Sequence, residues 1–162
     1  MKGSMTSKIL NIIVLLGITI TCILLLGTPL ILTAYLKSSY SLIDHNLVIG
    51  LTTCIYICAV PYLIALFNLK RLCSLIAKNN PFSKKIVIFL RQISICAFSE
   101  IFIFIGCVWY LKSFVDFFQN ILWFGPFIAI TFVSITIGLL SLVASELFKL
   151  FIDIKDENDK TI

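Results

Sequence analysis

The run ILNIIVLLGITITCILLLGTPLILTAYL, residues 9–36, contains no Asp, Glu, Lys, Arg or His. A helix needs roughly 20 apolar residues to cross the hydrocarbon core of a bilayer, and this run is long enough. Lys2 and Lys8 precede it in the manner of a signal peptide. The apolar part of a signal peptide stops after roughly 7–15 residues at a small-residue cleavage site, whereas this stretch continues and lacks a clear site, so it reads as a retained helix. Three further apolar runs lie outward from it, at about Leu47–Leu69, Ile86–Leu111 and Ile121–Phe148.

Composition agrees with that reading. Of 162 residues, 60% are hydrophobic and 13% charged, and the mean hydropathy is +1.08. Globular chains carry about 25% charged residues, and 13 basic with 8 acidic side chains cannot cover the outside of a water-soluble domain of this size. The solvent for most of the surface is lipid, which excludes a soluble enzyme, a secreted disulfide scaffold and a disordered tail. The expected fold is all-α, an integral membrane four-helix bundle forming one domain over residues 1–162, with helices at about 9–36, 47–78, 81–111 and 121–154.

Basic residues set the expected direction. Lys2, Lys8, Lys70, Arg71, Lys78, Lys84, Lys85, Arg91, Lys149, Lys155 and Lys160 fall on one side, and only Lys37 and Lys112 on the other. Short basic loops stay cytoplasmic, so both termini and the middle connection are expected inside. The net charge of +5 is then a topology signal, with affinity for anionic headgroups and without direct nucleic-acid binding. Tyr35, Tyr40, Trp109, Tyr110, Trp123 and Phe124 mark the outer boundary, where amphipathic rings prefer to sit.

The outer connections, about 37–46 and 112–120, are too short to fold as domains. Asp44 or Asn46 can cap the second helix and Asn120 the fourth. His45, the sole histidine, reads as a solvated loop residue, since only Asp44 stands near it as a metal ligand. On the basic side, Leu69, Leu72, Cys73 and Ile76 continue an apolar face past the span. Asn80 and Pro81 read as a cap followed by proline at the first helical position. Helices two and three, if unbroken, approach about 45 Å at 1.5 Å per residue, enough to project as a basic hairpin beside the fourth helix and its charged tail. Lys70, Arg71, Lys78, Lys84, Lys85, Arg91, Asp156, Glu157 and Asp159 form the candidate partner surface.

Within the membrane, Glu100 carries the most information. It lies near the midpoint between Arg91 and Lys112, where an acid costs at least about 2.5 kcal/mol on insertion scales. It is expected to face the bundle interior, mainly neutral, as either a proton or ligand site or an interhelical hydrogen-bonding group. Glu146 is one turn from Lys149 and within reach of a local ion pair. Small residues form two stripes at helical spacing, Cys54, Cys58, Pro61 and Ala65 on helix two and Ser134, Gly138, Ser141 and Ser145 on helix four, and such stripes let helices approach closely in lipid. Pro61 is expected to bend helix two. The six cysteines, Cys22, Cys54, Cys58, Cys73, Cys96 and Cys107, lie in or beside the spans and read as small apolar residues. Neither a metal site nor a cofactor is expected, and no phosphate loop, metalloprotease motif or nucleophile elbow appears. An enzyme is therefore not expected.

Gly27-Thr28-Pro29-Leu30, Leu66-Phe67-Asn68-Leu69-Lys70-Arg71-Leu72, Asn80-Pro81-Phe82-Ser83 with Leu90-Arg91, and Asp156-Glu157-Asn158-Asp159-Lys160-Thr161-Ile162 together resemble one bacterial family, the small four-helix membrane proteins of domain-of-unknown-function family 2975. Lys160 stands where that family usually has an apolar residue, and Asn80 where glycine is common. The resemblance implies a multi-pass protein of the bacterial plasma membrane, often encoded beside a small helix-turn-helix regulator, and it supplies no catalytic residues. The expected function is a non-enzymatic membrane component that signals to, or sequesters, a cytoplasmic partner such as that regulator. A peptide-immunity protein and a small transporter component are the alternatives, and self-association is compatible with each.

Overall fold

The computed structural model describes residues 2–40, 45–77, 83–114 and 124–160, with side chains for 9–38, 46–77, 83–113, 128–158 and 160. The chain forms four helices, α1 (Lys2–Tyr40), α2 (His45–Ala77), α3 (Lys84–Phe114) and α4 (Phe124–Lys160), and no strand occurs among the described residues. All four contain a stretch long and apolar enough to cross a membrane: Ile9–Ser38, Asn46–Ala77, Lys84–Ser113 and Ile128–Asn158. Large apolar side chains cover the outside, with Leu26 79% and Phe102 75% exposed. Water would not tolerate such a surface over the whole molecule. Lipid does, so the chain is a multi-pass membrane protein.

The helices run antiparallel and each packs on its neighbours in sequence, α1 on α2, α2 on α3 and α3 on α4. Among the described residues α1 does not touch α4, which leaves an open side between the first and last helices. The end holding the α1–α2 and α3–α4 connections is filled by a cluster of Leu36, Leu47, Cys54, Cys107 and Leu111, drawn from three helices. At the opposite end, the terminal end, where α1 and α3 begin and α2 and α4 end, Val14 and Ile18 of α1 close on Cys73 of α2.

The contact between α3 and α4 is polar and close. Ser94 Oγ donates to the Gly138 carbonyl at 2.8 Å, and Ser145 Oγ donates to the Val87 carbonyl at 3.1 Å. One turn beyond Ser94 the Phe98 ring lies flat on the bare Cα of Gly138, so that a β-carbon there would stand 3.0–3.2 Å from three ring atoms. In hydrocarbon, packing and interhelical hydrogen bonds replace the hydrophobic drive.

Between α1 and α2 a different device operates. Pro29 lies inside α1 and has no N–H to offer the carbonyl four residues back, that of Leu25. Tyr56 of α2 makes up the loss by donating its hydroxyl to Leu25 O at 3.0 Å. Threonine hydroxyls facing lipid turn inward on their own helix for the same reason: Thr19, Thr28 and Thr136 donate to the carbonyls of Leu15, Leu24 and Phe132. A backbone or hydroxyl group left unpaired in lipid is costly.

Two expected caps need correction. α3 begins at Lys84, not at Pro81; Ser83 stands outside the helix, its Oγ accepts from the Lys85 N–H at 3.3 Å and its carbonyl from the Ile86 N–H at 2.9 Å. A serine hydroxyl is well suited to such a position, while Asn80 and Pro81 lie outside the described residues. Asn46 lies inside the first turn of α2, which starts at His45, so it is not the cap. Asp44 and Asn120 also lie outside the described residues, as do Lys78 and Trp123.

Candidate functional site

A cavity of about 590 Å³ occupies the middle of the molecule and the half toward the terminal end, with walls from all four helices. α1 contributes Thr21 and Leu25; α2 contributes a face from Ile55 to Leu69; α3 contributes Leu90 to Glu100; α4 contributes Ser134, Ile137 and Ser141. Its origin lies in side-chain size. Ala59 and Ala65 on α2, Ala97 on α3 and Ser134 and Ser141 on α4 all border one space, and none of them is long enough to fill it. Where α4 presents its small stripe to a large partner, as Gly138 does to Phe98, the helices close instead.

Glu100 is in the wall of this cavity. It is half-buried, and its Oε2 is buried without a hydrogen-bond partner. An interhelical hydrogen bond to a hydroxyl or carbonyl, which the sequence allowed, is not made by that atom. The Cys58 thiol of α2 interacts with the same carboxyl and stands 3.9 Å from the Cys107 sulfur of α3, which itself lies 3.9 Å from the Cys54 carbonyl. All six cysteines are unpaired thiols. Cys58 thus stands between Glu100 and the cluster that holds Cys54 and Cys107. Among the described residues no three His, Cys, Asp or Glu side chains are grouped so as to hold a metal ion.

The remaining residues singled out from sequence divide by depth. On α2, Cys54 and Pro61 are buried, and Cys58 and Ala65 half-buried along the cavity. On α4, Ser134, Gly138 and Ser145 are buried and Ser141 half-buried. Glu146 and Lys149 are both exposed, and an ion pair at this end joins Lys84 Nζ to Asp156 Oδ2 at 4.0 Å. Lys85 and Arg91 of α3 and Asp156 and Glu157 of α4 are exposed, and Lys70 is half-buried. Arg71 lies over the Phe89 ring at 6.0 Å, a distance at which a guanidinium and an aromatic face attract weakly. Asp159 belongs to α4, but its side chain is not among those described. Sequence pattern alone does not single out Tyr56, Ser94, Phe98 or Thr21. The signal for Tyr56 is an intrahelical proline on the neighbouring helix, and for Phe98 a glycine in a small-residue stripe.

These features define a class: a four-span α-helical membrane protein with small connections and an apolar cavity carrying one acid. Residues 31–162 match the family described as "Protein of unknown function (DUF2975)", and the chain belongs to that family. It is 35% identical over 154 residues to a protein of Bacillus subtilis (strain 168) named "Uncharacterized membrane protein YoaS", covering 93% of this chain and 92% of that one. No solved structure matches.

Proposed function

We propose that this protein is a non-enzymatic membrane component that holds or signals to a cytoplasmic partner through its terminal end, with both termini inside. The observation that carries the reading is the continuity of α4. It runs unbroken to Lys160, well past the apolar run, and Ile152 remains buried while Asp153, Asp156 and Glu157 are exposed. The 37 residues of α4 are about 55 Å long at 1.5 Å per residue, against a hydrocarbon core of about 30 Å. Its excess length presents acidic side chains in fixed helical register beside the basic start of α3, where Lys84 meets Asp156. A mixed-charge surface of this sort favours a folded partner through complementary fields. The chemistry that fits best is a small cytoplasmic regulator of the helix-turn-helix kind, as the family resemblance implies.

Two measurements test it. A cytoplasm-active and a periplasm-active reporter fused to Ile162 decide the orientation, and activity of the periplasmic one alone overturns it. Crosslinking from Lys84 and Lys155 in native membranes is expected to capture a DNA-binding regulator from the full chain and to lose it on truncation before Asp153. Failure to capture a regulator, together with unchanged transcription on deleting the gene, overturns the proposal.

A further inference from the structure

The cavity contains one acid and no base. Glu100 lines it with a buried, unpartnered Oε2, and no Lys, Arg or His is among the lining residues. The charges that bracket Glu100 along α3, Arg91 and Lys112, are both exposed, and they stand roughly 13 Å or more away along the helix axis at 1.5 Å per residue. No cation of the described chain therefore lines the cavity with the carboxyl. A cavity of about 590 Å³ lies within the roughly 300–1,000 Å³ typical of small-molecule sites, which combine apolar walls with a few placed polar groups. Among the described residues α1 and α4 do not pack on each other, so a route into the cavity between them would open on acyl chains in a membrane.

We propose that the cavity is a binding site for a lipophilic primary amine, an apolar chain ending in an ammonium group, that enters from the bilayer between α1 and α4. The ammonium donates to Glu100, and charge-assisted hydrogen bonds are the strong ones in a medium of low dielectric. Its remaining protons find acceptors in the Thr21 and Ser134 hydroxyl oxygens in the same walls. The chain then lies along Leu66, Leu69 and Leu90 toward the terminal end. Removing the charge leaves an apolar tail with nothing to distinguish the cavity from the surrounding lipid, so selectivity for the amine over a neutral chain of equal length is the signature. The inference concerns the membrane interior and does not depend on a cytoplasmic partner.

The test uses the full chain in detergent micelles and native mass spectrometry, with dodecylamine as probe and dodecanol as its neutral counterpart. The expected result is one dodecylamine per chain, held at least tenfold more tightly than dodecanol. Glu100→Gln is expected to lower amine affinity at least tenfold and leave dodecanol unchanged, and Ala97→Phe to block the amine by filling the cavity. Equal binding of amine and alcohol, or no binding of either, overturns the proposal on the unmodified chain alone, whatever the variants' folding. Retention of the amine by a folded Glu100→Gln chain overturns it as well. Nanodiscs with and without phosphatidylethanolamine then separate the sources: competition by that lipid identifies a membrane aminolipid as the natural occupant, and its absence a free amphiphilic amine.

Discussion

The two halves of this bundle are built from similar small residues and reach opposite results. At the end of the α1–α2 and α3–α4 connections, Cys54 and Cys107 meet Leu36, Leu47 and Leu111, and the space is full. In the other half Ala59, Ala65, Ala97, Ser134 and Ser141 face one another, and a cavity remains. A small residue closes a helix interface only when its neighbour supplies bulk, as Phe98 does over Gly138. Small set against small leaves room for something that is not protein.

The sharpest way to break this contrast is to put bulk where it already exists. Gly138→Leu drives a side chain into the Phe98 ring and is expected to destabilise by about 3 kcal/mol, the upper part of the overpacking range, read by thermal or denaturant unfolding in detergent. Gly106→Leu, whose β-carbon meets nothing within 4 Å, is expected to leave the midpoint unchanged; equal losses at both glycines would show that close approach is not the cause. Leu111→Ala removes bulk from the filled end. It is expected to cost about 2 kcal/mol, the low end of the soluble-core range, because in lipid the transfer part of that penalty is missing. Ala97→Leu adds bulk to the empty half and is expected to be neutral or to stabilise by about 0.5 kcal/mol, as cavity-filling changes do. A loss there comparable with that of Gly138→Leu would mean that the cavity is collapsed in the membrane.

Smaller effects sharpen the account of the seams. Tyr56→Phe, which orphans the Leu25 carbonyl, is expected to cost about 0.6 kcal/mol and at most about 1.7. In a Pro29→Ala background, where α1 regains its own N–H donor, the cost is expected to vanish, and a double-mutant cycle without coupling would disprove the link between the proline and the tyrosine. Lys84→Ala removes an exposed ion pair and is expected to change stability by less than about 0.5 kcal/mol, with the effect lost in high salt.

Much of this architecture is legible from the residues alone, since a helix in lipid must be apolar over a fixed length and its ends must carry charge. The position of Glu100 inside the bundle is legible for the same reason, because lipid penalises an exposed acid. What periodicity does not encode is the partner of each face. The stripe Ser134, Gly138, Ser141, Ser145 reads as one packing surface, yet Gly138 meets a ring while Ser141 meets a void. The start of α3 differs from its sequence signal for a related reason: Asn80-Pro81 carries a strong helix-start signal, and Ser83, a few residues later, satisfies the same requirement.

Among the described residues helices pack only on their neighbours in sequence, which also governs the order in which the molecule is made. Each helix emerging from the ribosome finds its whole set of earlier partners in the single helix made just before it, and no segment must wait for a distant one. The charge-free run 9–36 of α1 enters the bilayer without help. α3, burdened with Glu100, arrives when α2 is already present to shelter it through Cys58. Such short-range wiring keeps loop-closure entropy low, so assembly proceeds as three successive hairpin closures, and the lateral gap is simply the closure that the chain never makes.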